Sequence, residues 1–236
     1  MERRTVRLLN AAAAAAAAFL VLQLATDALT LRRASPPPPP PEVTRVGDEY
    51  VTDYSWRYEG AEHRLVIRTP VSVYDRYRGR VRVPPFDYAE FVVEDEWVRG
   101  LASALERMCS GWGYAERVNF LMSFAQGWPY ARDVETVGRE DYPRYPVETV
   151  VDGRGDCEDK AILFASLARS LGIDVCLLLF PKEEHMAAAV AVDRPVGTTY
   201  RAGGRLYAYC ELTQPGWRVG EKPPLVTSTP WFVFLE

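Results

Sequence analysis

Gly155-Asp-Cys-Glu-Asp-Lys-Ala-Ile-Leu-Phe-Ala-Ser-Leu-Ala-Arg-Ser-Leu-Gly172 is the stretch on which the fold turns. Asp156 precedes a run, Ala161 to Leu171, that is apolar nearly all round, and Asp159 follows it at the spacing of a capping box. Gly172 sits where an ending helix commonly turns left-handed. The pattern predicts a buried central helix that starts at Cys157. Three apolar runs follow, Ile173 to Phe180, Met186 to Val192 and Arg205 to Thr213, with a loop Asp193 to Gly204 between the last two. They read as antiparallel strands, which makes the class α+β with a central helix packed on an antiparallel sheet.

This arrangement gathers three chemically useful side chains. A cysteine in the first turn of a helix meets unpaired N–H groups and the positive end of the helix dipole, which predicts a lowered thiol pKa for Cys157. His185, one of only two histidines, lies at the edge of the second strand after the loop Pro181 to Glu184. If the second and third strands pair with facing residues summing to 396, His185 lies opposite Glu211, and a carboxylate can hold the imidazole tautomer. The same register puts Ala187, Ala189 and Ala191 on the face of His185, small enough to let the helix approach. Asp193 is the fallback carboxylate, remote from His185 in this register. Spacing alone leaves open a buried structural cysteine, a surface histidine and a solvated Glu211.

Working outward, Tyr50 to Tyr58 and His63 to Arg68 alternate as a hairpin with Gly60 in its turn. Helical spacing places Trp97, Leu101, Leu105 and Met108 on one face of Glu94–Met108, and Val118, Leu121, Met122 and Ala125 on one face of Ala115–Gln126.

The N-terminus has another character. Leu8 to Leu31 contains an unbroken apolar stretch from Ala11 to Leu22, with Arg3, Arg4 and Arg7 before it and Arg32 and Arg33 after. As a helix it would reach ~36 Å against ~30 Å of hydrocarbon. Residues 1–33 are therefore expected to be a membrane anchor, or else a signal segment. The globular part would lie on the extracellular side of the cell membrane in a single-pass arrangement. Pro36 to Pro41 favour an extended rod, so residues 34–46 read as a proline-rich linker and residues 47–236 as the globular domain.

Composition excludes several classes. The formal net charge of −4 gives no footprint for nucleic acid, and 48% hydrophobic residues are ordinary globular material. There is no Cys-x-x-Cys pair, the two histidines are 122 residues apart, and no phosphate-binding glycine pattern occurs. No metal and no cofactor is expected. Four cysteines (Cys109, Cys157, Cys176, Cys210) permit disulfides, with Cys157 kept free.

The run Tyr145-Pro-Val-Glu-Thr-Val-Val-Asp-Gly-Arg-Gly-Asp-Cys-Glu-Asp-Lys-Ala-Ile-Leu163, with Leu171-Gly-Ile-Asp-Val175 and His185-Met186, resembles the transglutaminase-like superfamily, in particular its membrane-anchored archaeal branch. Phe124-Ala-Gln-Gly-Trp-Pro-Tyr130 with Asp133, Tyr209-Cys-Glu-Leu-Thr-Gln-Pro-Gly-Trp-Arg-Val-Gly220 and Tyr54-Ser-Trp-Arg-Tyr58 extend the resemblance. It implies a papain-like core in which Cys157 is the nucleophile, His185 the base and acid, and Glu211 the orienting acid, where the superfamily usually has Asp. It also implies that Gln126 donates to the oxyanion beside the backbone N–H of Cys157, and that Tyr130 and Asp133 hold their loop together. The implied activity is that of a cysteine peptidase or amidase on a protein or peptide amide, without a cofactor. A catalytically silent binding or envelope-organising module is the alternative.

Overall fold

The computed structural model describes residues 40–235. The expected anchor and most of the proline run lie outside the described residues. Among these residues, no helix is long and apolar enough to cross a membrane.

The hairpin is β2 (Glu49–Tyr58) with β3 (Ala61–Pro70), and β1 (Glu42–Val46), which falls within the segment read as linker, pairs with β2. The turn Glu59-Gly60 has φ of 49° and 79°, the pair of left-handed residues that matches strand twist in a two-residue hairpin loop. Helices α1 (Val71–Arg78), α2 (Glu96–Met108) and α3 (Tyr114–Gln126) follow, two of them close to their predicted spans. Asp95 caps α2 by accepting from the Val98 amide at 2.9 Å. The hairpin presses its aromatic face onto the end of α3: the rings of Tyr54 and Trp128 stack at 3.9 Å, and the Tyr54 hydroxyl donates to the Phe124 carbonyl at 2.9 Å. Gly127 makes this approach possible, because a Cβ there would collide with the Tyr54 hydroxyl.

Short helices α4 (Asp133–Thr136) and α5 (Pro146–Asp152) lead to the central helix α6 (Cys157–Ser170). Asp156 and Asp159 form the expected capping box, and Gly172 has φ of 71°. Ile162, Leu163, Phe164 and Leu167 are completely buried, each contributing roughly 1.5–3 kcal/mol of transfer free energy. The helix lies on an antiparallel sheet of order β6-β7-β5-β4-β8. Its strands are β4 (Val175–Phe180), β5 (His185–Val192), β6 (Thr199–Ala202), β7 (Arg205–Cys210) and β8 (Trp231–Phe234). The expected loop 193–204 thus contains a strand, and the sheet gains a C-terminal edge.

Two details of the sheet differ from expectation. Facing residues of β5 and β7 sum to 398, as in Ala188 with Cys210, rather than 396. A shift of two keeps every side chain on its face, so His185 and Glu211 remain on one face as diagonal rather than direct neighbours. Second, α6 shares its core with Met186, Ala188 and Val190, whereas Ala187 and Ala189 pack with Cys176, Leu178, Phe180 and Tyr209 on the other face. The alternation of a strand buried on both sides gives no sign of which face the helix takes.

Candidate active site

Cys157 begins α6, and the segment before it is fixed by backbone pairing. Gly155 accepts from the Ala131 amide and donates to the Pro129 carbonyl at 3.1 and 3.2 Å, which draws Tyr130 beside the helix start. A Cβ at Gly155 would meet Asp159 at 2.6 Å, so only glycine admits the capping carboxylate.

Behind the helix start lies a buried ion network that the sequence did not reveal. The Arg144 guanidinium donates to Asp133 and Asp159 at 2.6 Å each and to Asp152 at 3.2 Å, and its backbone amide donates to Asp159 at 2.7 Å. Arg144, Asp133 and Asp159 are almost wholly buried. Asp133 therefore ties down the loop as expected, with Arg144 as its partner. Tyr130, in contrast, is half exposed at the mouth of the cleft.

His185 opens β5 after a four-residue loop whose last member, Glu184, takes a left-handed φ of 47°. The imidazole Nε2 lies 3.1 Å from Glu211 Oε2 and 3.2 Å from the Tyr209 hydroxyl. That leaves Nδ1 clear of these bonds. Glu211 is completely buried, and its other oxygen accepts from the Leu212 and Thr213 amides at 3.0 Å and the Thr213 hydroxyl at 2.7 Å. Tyr209 donates to Oε2 at 2.7 Å. Burial opposes ionisation of Glu211, but the His185 hydrogen bond and charge and the Thr213 donors outweigh it and hold its pKa at about 2. Asp193 follows the far end of β5, eight residues beyond the start of that strand, where His185 lies.

Cys157 and His185 line two adjoining clefts. The thiol donates to Glu158 Oε2 at 3.1 Å. Burial, followed by the carboxylates of Glu158 and Asp156, raises the thiol pKa well above its ordinary value, while a hydrogen bond from the Met186 backbone opposes the rise. This corrects the lowered pKa expected from the helix start: burial first, and then the carboxylates of Glu158 and Asp156, outweigh the dipole. Cys157 is free, as are Cys109, Cys176 and Cys210.

Gln126 is placed differently from its expected role. Its Nε2 donates to the carbonyls of Glu211 and Trp217 at 2.8 and 2.9 Å, and its Oε1 accepts from the Gly216 amide at 3.2 Å. Both amide hydrogens are engaged, so Gln126 fixes the segment after β7 instead of facing an oxyanion. Lys160 does related work. Buried one turn beyond Cys157, its ammonium donates to the carbonyls of Gln126 and Thr213 at 3.2 and 2.9 Å. Burial lowers its pKa to about 7 against the pull of Glu211, Asp156 and Asp159. A lysine inside an otherwise apolar helix was the available signal.

The larger cleft, about 580 Å³, is lined by Asp133, Glu140, Asp141, Glu158 and Glu184 beside Cys157 and His185. Carboxylate oxygens of Asp133, Asp141 and Glu158 lie within 4.8 Å of one another, a grouping that could hold a cation. Linear spacing hid it because the three come from separate segments. Burial, then the charge of Glu158, lifts the Asp141 pKa to about 6.

Solved structures of low similarity include Legionella pneumophila LapG (19% identity over 59% of this chain and 80% of that one, TM-score 0.40) and its calcium-bound form (18%, 61% and 77%, 0.39). A Cytophaga hutchinsonii protein provisionally named a cysteine protease is 12% identical over 73% of this chain and 68% of that one, with a TM-score of 0.36. No curated protein matches the chain. The model of the transglutaminase-like superfamily matches residues 114–193, a stretch that holds Gln126, Cys157 and His185.

Proposed function

We propose that the protein is a cysteine peptidase or amidase that cleaves a protein or peptide amide by acyl transfer through Cys157, His185 and Glu211. The observation that carries this reading is the His185–Glu211 pair at 3.1 Å sharing a cleft with Cys157. Glu211 fixes the imidazole with Nε2 toward the carboxylate, which leaves Nδ1 to take the thiol proton. The sulfur then adds to the amide carbonyl carbon, and the backbone N–H of Cys157 at the helix start stabilises the oxyanion. The imidazolium protonates the leaving nitrogen as the C–N bond breaks and a thioester remains. Water, deprotonated by His185, hydrolyses the thioester and restores the thiol. Because the thiol rests neutral and bonded to Glu158, His185 acts as a general base during attack, and the S–H must first turn away from Glu158.

The catalytically silent module remains a second reading because of that same raised thiol pKa. The two readings part in one experiment: alkylation of Cys157 by iodoacetamide between pH 6 and 10, in the full chain and in His185→Ala and Glu211→Gln. The peptidase reading expects His185→Ala to slow labelling near neutral pH by at least about tenfold, at the lower end of what positioned acid–base groups contribute. Equal rates in all three proteins would overturn it.

Attachment to a membrane through Leu8–Leu31, with the domain outside the cell, belongs to the same proposal and rests on the apolar run and its flanking arginines. Protease protection in vesicles tests it: digestion of the domain only after lysis would reverse the orientation.

A further inference from the structure

The catalytic pair lies at the junction of two clefts, and the smaller one has an unusual wall. Its volume is about 320 Å³, and beside Tyr130, Cys157, His185 and Glu211 it is lined by Pro223, Leu225 and Val226. Leu225 is 87% exposed, more than almost any other large apolar side chain of the described residues. An exposed leucine on a mobile tip would mean little, but this one is held from three sides.

The Val226 amide closes a turn onto the Pro223 carbonyl at 3.1 Å, and the Val226 side chain is buried in the second core with Phe180 and Tyr209. On the far side, one carboxylate clamps the following residues. Glu183 accepts from the Thr227 and Ser228 amides at 3.0 and 2.8 Å and from the two hydroxyls at 3.2 and 2.5 Å. Hydrogen bonds from Ser228, then from Thr227, hold Glu183 at a pKa of about 2, so the clamp stays charged through the physiological range. Glu183 belongs to the same short loop that delivers His185. The turn carrying Leu225 is thus pinned to the catalytic loop, and its apolar side chain is presented to solvent at the rim of the reactive cleft.

Resting on the peptidase reading above, we propose that the substrate is an extended polypeptide that crosses Cys157 from one cleft to the other, and that Pro223, Leu225 and Val226 form a subsite for an apolar substrate side chain. Both clefts carry carboxylates, Glu183, Glu184 and Glu211 in the smaller and Asp133, Glu140, Asp141 and Glu158 in the larger, and the exposed apolar turn belongs to the smaller one. Only Tyr130, Cys157, Glu184 and His185 line both clefts. A small amide would fill one cleft and leave Leu225 without a partner.

The test incubates the full-length protein with a pool of peptides randomised around a central amide and reads cleavage sites by mass spectrometry. Wild type is expected to cut beside aliphatic or aromatic residues at one fixed position. Leu225→Ala should weaken that preference by about tenfold, the effect of removing a few methylene contacts from a pocket. Leu225→Glu should move the preference at the same position toward Lys and Arg, a gain that misfolding cannot mimic. Binding is read separately in the full-length Cys157→Ala chain, which should enrich the same apolar peptides from the pool without cutting them. Enrichment without cleavage by wild type would support the subsite and overturn the peptidase. Cleavage with no apolar preference, or a preference unmoved by both Leu225 variants, would overturn the subsite and leave the peptidase intact.

Discussion

Two carboxylate groupings with opposite fates, Asp133 belonging to both, meet at the first turn of α6. On its inner side, Asp133 and Asp159 share the Arg144 guanidinium at 2.6 Å and have no solvent around them. On its outer side, Asp141 and Glu158 face the cleft, and no basic residue bridges either of them among the described ion pairs. Burial demands a partner, because an unpaired ion away from water costs several kcal/mol, whereas a half-hydrated one tolerates imbalance. Balanced charge holds the helix start, and beside it burial, then the unbalanced charge of Glu158 and Asp156, raises the thiol pKa.

The contrast can be broken most forcefully at Arg144. Arg144→Met leaves two buried carboxylates without their cation and should lower stability by about 3–5 kcal/mol in urea denaturation. A loss below about 1 kcal/mol would mean that the inner carboxylates do not need their partner, and the distinction would collapse.

Glu158→Gln probes the outer region. It removes the acceptor of the thiol and the charge that raises its pKa. Alkylation of Cys157 at pH 7 should therefore accelerate, by less than about tenfold since water reaches Glu158 and screens it. A slower reaction would show that Glu158 assists ionisation instead.

Asp141→Asn should have the smallest effect, with a sign set by pH. Its folded pKa of about 6 lies above the ordinary carboxylate value, so the penalty for ionising it grows as pH rises from about 4 to 6 and is constant above that. The substitution should stabilise by about 0.5–1 kcal/mol at pH 8, after allowance for solvent screening, and do nothing at pH 4. Thermal unfolding at the two values checks it, and equal shifts at both would point to a cause other than charge.

Elements whose signals are local were legible in the sequence. The capping box at Asp156 and Asp159, the apolar run to Leu171 and Gly172 place the central helix to within a residue, because cap, core and stop lie within one short segment. Pairings across the chain were less so. The β5–β7 register came out two residues away because alternation constrains which face a side chain takes and leaves its partner open in steps of two. Strand β6, hidden in an apparent loop, is a four-residue edge whose pattern is too short to read.

The sequence by itself determined the central helix and the hairpin turn at Gly60, each written in neighbouring residues. It also nominated Cys157, His185 and Glu211 as candidate site residues, a choice that spacing left open and the family resemblance supplied. Tertiary structure decided the rest. It engaged both amide hydrogens of Gln126, gathered Arg144 with Asp133, Asp152 and Asp159, and seated Lys160 against two carbonyls. It also raised the thiol that the helix start alone would lower. The physical reason is that charge and hydrogen-bond balance sum over everything within a few ångströms, whatever its distance along the chain, and burial multiplies each contribution.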